Sequence, residues 1–250
     1  WAHGVAQGIP VPLVVKLHGP WFLNGRADGF LEDASFIQRI KDEFKGMQSA
    51  AGVTAPSRDV LKRTQEYYGV TFKNARVIPN PTRIIPEKNR WKLSECDKKK
   101  LLFVGRFDRH KGADILLEAF ATIVRKMPEM KLVFAGPDRG LNKDGQRWKI
   151  EEYIKRVIPA QHRGNVQWLG KVSAKKVEKL RKESFLAIIS SRYENFGNNL
   201  LEPMSCGCPT VASDIGGNPE IMENNRNGLF FEVENPEDLA NKALSLLGDE

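Results

Sequence analysis

From residue 101 onward, short apolar runs alternate with amphipathic stretches so regularly that few architectures can accommodate them. LLFVG (101–105), KLVFAG (131–136), NVQWLG (165–170), FLAIIS (185–190), PTVAS (209–213) and GLFFEV (228–233) have the length and the apolar, β-branched content of buried strands. Between them lie ADILLEAFATIVRKM (113–127), with apolar residues at three-and-four spacing, QRWKIEEYIKRVI (146–158), the charged AKKVEKLRKE and the short PEIMEN turn of helix. A last helix, PEDLANKALSLLG, opens at Asn235-Pro236, a good start signal. Six strands with helices between them predict an α/β domain built on a doubly wound parallel sheet, complete within residues 101–250.

The first 86 residues differ. PLVVKLH (12–18), GVTAPS (52–57) and ARVIPN (75–80) are strand candidates separated by helical stretches such as FIQRIKDEFKGM, and three strands make only part of a doubly wound sheet. Residues 79–100 combine three prolines with a dense charge run, as a linker does. The expected organisation is the rear part of an α/β domain (1–86), a linker (87–100) and a nearly whole second domain (101–250), with a ligand in the cleft at the C-terminal strand ends. The chain opens on Trp1 rather than Met, as an excised or processed piece or an incomplete reading frame would.

No apolar run approaches a membrane span, no signal-peptide pattern is present, and three cysteines fit a reduced, cytoplasmic globular protein. The net charge of +8 points to anionic partners. Its short clusters (Lys98-Lys99-Lys100, Lys175-Lys176) look like solvated faces rather than a nucleic-acid surface.

The chemistry concentrates in SRYENFGNNLLEPMSCGCPTVAS. Gly197, Asn198 and Asn199 fall at the mouth of the helix that follows strand FLAIIS, where free N–H groups and the positive dipole end favour a phosphate. Glu194 is expected just outside that mouth. Glu202, after seven intervening residues, is expected about two turns in, on the side of Asn198 and Asn199. Such glutamate pairs are usually solvated helix faces. An anion seat between two carboxylates nevertheless suits a ligand that is anionic in the middle and rich in hydroxyls at both ends, as a nucleotide-sugar is.

Gly105-Arg106-Phe107-Asp108-Arg109-His110-Lys111-Gly112 lies between a strand and a helix, with Gly105 allowing a close backbone turn. Arg106 can fork two oxygens of a diphosphate and Lys111 adds a point charge; the spacing is not that of a Walker loop. His18 ends strand PLVVKLH and is either a cleft residue or a satisfied loop histidine. His3, His110 and His162 have no neighbours at metal spacing, and Cys206 and Cys208 read as small buried residues around a helix-ending glycine. Acidic pairs of the Asp-x-Asp type are absent, with Glu95-Cys96-Asp97 in the linker the nearest approach. Leaving-group charge then falls to Arg106, Lys111 and backbone N–H groups, and no metal or cofactor is expected.

VGRFDRHKGADILLEAF, ENFGNNLLE and CGCPTVASDIGGNPEIM together resemble the retaining family 4 glycosyltransferases (glycosyl transferase group 1) of GT-B fold; KLHGP and VIPNP resemble pieces of that family's N-terminal domain. The resemblance implies two Rossmann-like domains facing a cleft, the first incomplete here, and a nucleoside-diphosphate-sugar donor. Arg106 and Lys111 would hold the diphosphate, Glu202 the ribose hydroxyls, and the backbone of Phe196, Gly197, Asn198 and Asn199 the sugar and phosphate. Glu194 would orient the sugar, His18 would reach across from the first domain, and Lys171-Val172 would line the base. Pro203 and Ser205 stand where the family usually has alanines, and Asn218 replaces an apolar residue. The family's glycine-rich loop and its closing C-terminal helices are missing, as in the donor-binding core of a longer enzyme.

The function expected is retaining transfer of a hexosyl unit to a glycan or lipid-linked acceptor. The setting expected is glycan, lipopolysaccharide or exopolysaccharide synthesis, with peripheral contact to an anionic membrane at its inner face. Rival readings are a nucleotide-sugar epimerase or phosphorylase of the same fold and a non-catalytic nucleotide-binding module.

Overall fold

The computed structural model describes residues 11–248; Trp1 and His3 lie outside the described residues. The first domain carries β1 (Val14–Lys16), β2 (Gly52–Ala55) and β3 (Ala75–Val77), parallel and in that order, with helices α1 (Trp21–Asp28), α2 (Ala34–Gln48) and α3 (Arg58–Tyr68). Side chains start two of these helices: Asp33 accepts from the Phe36 N–H and Ser57 from the Val60 N–H. Leu17, Met47, Val53, Ala55 and Val60 form the small core between sheet and helices.

The connecting segment is docked, not free. Trp91 donates its indole N–H to the Ser184 carbonyl (2.8 Å) and its backbone N–H to that of Cys206 (2.7 Å). Strand β4 (Asp97–Val104) begins inside the stretch read as linker: Asp97 pairs with Ser184, and the register shifts before Leu101.

The second sheet adds β5 (Lys131–Ala135), β8 (Val166–Trp168), β9 (Ser184–Ile189), β10 (Thr210–Ser213) and β11 (Leu229–Phe231), all parallel, in the order β11-β10-β9-β4-β5-β8. Numbered along the chain this is the 3-2-1-4-5-6 order of a doubly wound sheet. Helices α4 (Ala113–Lys126), α5 (Ile150–Val157), α6 (Ala174–Glu183), α7 (Asn198–Ser205) and α8 (Pro236–Gly248) complete the domain. Its core joins Leu101, Phe103, Leu132, Phe134 and Ile188 of the sheet to Leu116, Phe120, Ile123, Tyr153 and Leu239 of the helices. Each such side chain, fully buried, contributes about 1.5–3 kcal/mol.

The helix expected over 146–158 is corrected. Gln146–Trp148 is strand β7 of a hairpin with β6 (Leu141–Lys143), and α5 starts only at Ile150. Asp144 and Gly145 turn with φ of 55° and 72°, the conformation an Asp-Gly pair favours in a two-residue hairpin. The turn of helix expected over PEIMEN (219–224) is a 3-10 turn, Asn218–Glu220, which takes in only the first two residues of that stretch.

Strand order reverses between β4 and β9. The loops leaving those two strands, 105–112 and 190–197, therefore open side by side at the point where doubly wound sheets bind ligands.

Candidate functional site

Those two loops are bonded to each other along their length. The Ser190 hydroxyl sits 3.1 Å and 2.9 Å from the carbonyls of Lys111 and Gly112, the Arg192 N–H donates to the His110 carbonyl (2.8 Å), and the Arg192 guanidinium donates to that of Arg109 (2.6 Å). Gly112 is required here: its φ is +62°, and a Cβ would stand 1.8 Å from the Ser190 carbonyl oxygen. Arg192 is itself fixed by a two-pronged pair with Asp114 in the first turn of α4 (2.8 Å on each prong) and by Glu234 at 2.7 Å. Burial pushes the Asp114 carboxyl up, but Arg192 and Lys143 outweigh it and hold it below the usual carboxylate range.

Glu194 sits where the loops converge. One carboxylate oxygen, Oε1, accepts from the Lys111 ammonium (2.6 Å), the Ser191 hydroxyl (2.6 Å) and the Asn199 amide (3.0 Å). Burial pushes this carboxyl up; the Lys111 charge first, then the Lys111 and Ser191 hydrogen bonds and the His110 charge, bring it below its ordinary value. The residue is 6% exposed yet held as the anion. The residue precedes the N-cap Gly197 of α7, and its side chain turns in over the first turn of that helix, where Asn199 donates to it. A Cβ on Gly197 would stand 3.0 Å from its other oxygen, Oε2.

A pocket of about 240 Å³ opens beside this group. His18, Lys111, Glu194, Phe196, Gly197, Asn198 and Asn199, all expected at the site, line it, with Asn80 and Asn195. A larger cavity, about 980 Å³, lies against β1 and α2 and shares His18 with it, but no loop of the β4–β9 switch point reaches it.

The remaining expected residues stand apart from this pocket. Arg106 bonds the Asp108 carboxylate and approaches Asp28 of the first domain at 3.9 Å. Because Asp108 also accepts the Lys111 N–H (2.9 Å), Arg106 braces the loop that carries Lys111. Gly105 acts through its backbone, donating to the Ala135 carbonyl, and a Cβ there would meet the Phe103 ring at 2.7 Å. Lys171 is exposed, while Val172 packs on the cluster of Leu102, Val133, Ala135 and Leu180. Glu202, expected on the side of Asn198 and Asn199, has a side chain 48% exposed that pairs with Arg181 and does not line the pocket.

Sequence reasoning missed several partners. Ser191 could have been suspected as a hydroxyl three residues before the glutamate. His110 is buried, with Nε2 3.0 Å from the Tyr193 carbonyl and Nδ1 3.3 Å from the Asp28 carboxylate. Asn218, the odd residue of the GGNPE turn, is fully buried and donates to the Ser213 carbonyl (3.0 Å). Among the described residues no group of three or more His, Cys, Asp or Glu is placed to hold a metal ion, and no helix is long and apolar enough to cross a membrane.

A two-domain α/β architecture with its loops converging at the switch point of the second sheet is that of the GT-B glycosyltransferases. Sucrose-phosphate synthase from Thermosynechococcus elongatus superposes on it with a TM-score of 0.77 at 22% identity, covering 98% of this chain and 61% of that one. HepE of Anabaena, solved in complex with UDP-glucose, does so with a TM-score of 0.75 at 20% identity, covering 99% and 65%. Residues 86–250 match the family model of the glycosyl transferases group 1, and residues 1–84 that of glycosyltransferase family 4; the chain belongs to the glycosyl transferase group 1 family. Mannosylfructose-phosphate synthase of Agrobacterium fabrum is 30% identical over 223 residues, which is 86% of this chain and 49% of the relative. The chain spans about half the length of the curated relatives it matches.

Proposed function

We propose that the complete protein transfers a hexosyl unit from a nucleoside-diphosphate-sugar to an acceptor hydroxyl, with retention and without a metal. The observation that carries this reading is the Lys111–Glu194 pair over the N-terminus of α7, at the switch point of the second sheet. Lys111 and the free N–H groups at the start of α7 would take the diphosphate, whose charge grows as it leaves. Glu194, kept ionised beside them, would orient the sugar and face the positive charge that develops at its anomeric carbon. His18 would approach from the first domain. Glu202, on leaving Arg181, would hold the ribose; Gly105, Lys171 and Val172 would shape the base side. Support for the donor class comes from HepE, which holds UDP-glucose. The net charge of +8 favours an anionic or lipid-linked glycan acceptor, and with it a cytoplasmic site of action at a membrane surface, in glycan, lipopolysaccharide or exopolysaccharide synthesis.

Two results are expected. Glu202→Ala weakens nucleoside-diphosphate binding by about 1–3 kcal/mol, the scale of a lost hydrogen bond to a charged group. Glu194→Ala leaves the bare nucleotide bound at least as well, because Lys111 is released to it, and lowers turnover of the complete enzyme. Calorimetry and a product assay on both variants check this; equal losses of nucleotide affinity would contradict the division of labour. EDTA is expected to leave transfer by the complete enzyme nearly intact, and an absolute Mn²⁺ requirement would overturn the assignment of leaving-group charge to Lys111 and the N–H groups of α7.

A further inference from the structure

The loop that carries Glu194 is held from the opposite domain at the residues on either side of it. Tyr193 donates its hydroxyl to the Asp59 carboxylate of α3 (2.7 Å), Asn195 donates its amide to the Asn24 side chain of α1 (3.0 Å), and the Phe196 carbonyl accepts from Asn80 (3.0 Å). Glu194 alone in this run turns to its own domain. A second connection returns across the gap. The Glu194 carbonyl accepts from the Gly217 N–H (2.8 Å), and Glu220, three residues on, caps α3 by accepting from the N–H groups of Arg58 (2.9 Å) and Asp59 (3.0 Å). The bonds thus form a closed circuit, from Glu194 through Gly217 and Glu220 to Asp59 and back through Tyr193, crossing between the domains twice.

Asp59 is the member of the circuit that both crossings share. Burial, together with the Asp59 carboxylate, pushes the Tyr193 hydroxyl well above its usual range, which keeps it a donor. The Arg63 guanidinium, which also pairs with Asp59, lies 5.9 Å from the Tyr193 ring centre. We propose that Asp59, acting through the Tyr193 hydroxyl, is a positioning residue that sets the direction of Glu194 only when the first domain is seated on the second. The inference rests on the donor-site reading above and adds to it a residue outside the pocket.

The test compares two ligands on the 250-residue chain by calorimetry: a nucleoside diphosphate (of uridine, guanosine or adenosine, whichever binds) and its glucose conjugate. A group that aims Glu194 at the sugar affects the conjugate and not the bare nucleotide. Asp59→Ala is expected to shift the ratio of the two dissociation constants against the conjugate by about tenfold, the weight of one hydrogen bond to a charged group. Tyr193→Phe should give the same shift, and the double variant no further one. Asp59→Asn keeps an acceptor oxygen for the hydroxyl while losing the Arg63 ion pair, so it should restore the native ratio. A general loss of folding lowers both affinities together and leaves the ratio alone. An unchanged ratio in Asp59→Ala and Tyr193→Phe, with both ligands still bound by the unaltered chain, would overturn the positioning role and leave the donor site standing. Failure of the unaltered chain to bind any of the nucleotides would remove the donor site, and the positioning role with it.

Discussion

Lys111→Met is expected to destabilise the second domain by about 3 kcal/mol at neutral pH and to abolish nucleoside-diphosphate binding. The first effect follows from the burial of Glu194: removing the cation of a buried pair costs about 3–5 kcal/mol, and the lower end applies because Ser191 and Asn199 still donate to the carboxylate. The second follows because Lys111 is the ammonium that lines the pocket. The pH dependence gives the result a signature. In the native chain the carboxyl of Glu194 lies below its unfolded value, so its contribution is present above the ordinary carboxylate range and is lost as pH falls through the folded value. Without Lys111 the desolvation that opposes it dominates and the folded value moves above the unfolded one. The penalty is then present at neutral pH and relieved on acidification as the carboxyl takes up a proton. Urea unfolding at pH 7 and pH 5 should show the variant closing on the native chain at the lower pH; a gap that widens would contradict the assignment.

Asp114→Ala is expected to lower stability by about 3–5 kcal/mol, or the melting temperature by about 10 °C in a domain of this size. The reason is again a buried charge left behind. Arg192 and Asp114 have side chains 7% and 1% exposed, and the substitution strands the guanidinium with only Glu234 and the Arg109 carbonyl. Because Arg192 begins the run that leads to Glu194, nucleotide affinity should fall with stability. The exposed Arg226–Glu223 pair is the control, since Arg226→Ala should leave the melting temperature almost unchanged. Calorimetric melting of both variants checks the contrast, and a shift of similar size in the two would contradict it.

Legibility in the sequence depended on the range of the interaction. The six strands of the second sheet and the start of α7 were legible because strand burial and helix caps leave periodic, local marks at 101–105, 131–136 and 197–199. The β6–β7 hairpin was missed because Gln146 to Trp148 continue the helical pattern of α5, while the turn signal is a single Asp-Gly pair. At the site, the grouping of Lys111, Glu194 and Asn199 followed from their loops leaving adjacent strands. What was not legible is side-chain direction. Arg106 turns to Asp108 two residues away, and Glu202 to Arg181 on α6, and spacing alone does not tell which complementary partner a long charged side chain takes. Asp59, Asn80 and Asn24 lie 116 to 171 residues from the loop atoms they bond, and nothing local records such pairings.

In the proposed function, residues 105–112 and 194–199 form the seat of a nucleoside diphosphate. Titration calorimetry of the 250-residue chain with the diphosphates of uridine, guanosine and adenosine, in buffer containing EDTA, tests it most directly. Saturable one-to-one binding of at least one of the three is expected, abolished by Lys111→Met and weakened by Glu202→Ala. Absence of binding by a folded chain, or binding that survives Lys111→Met unchanged, would contradict it.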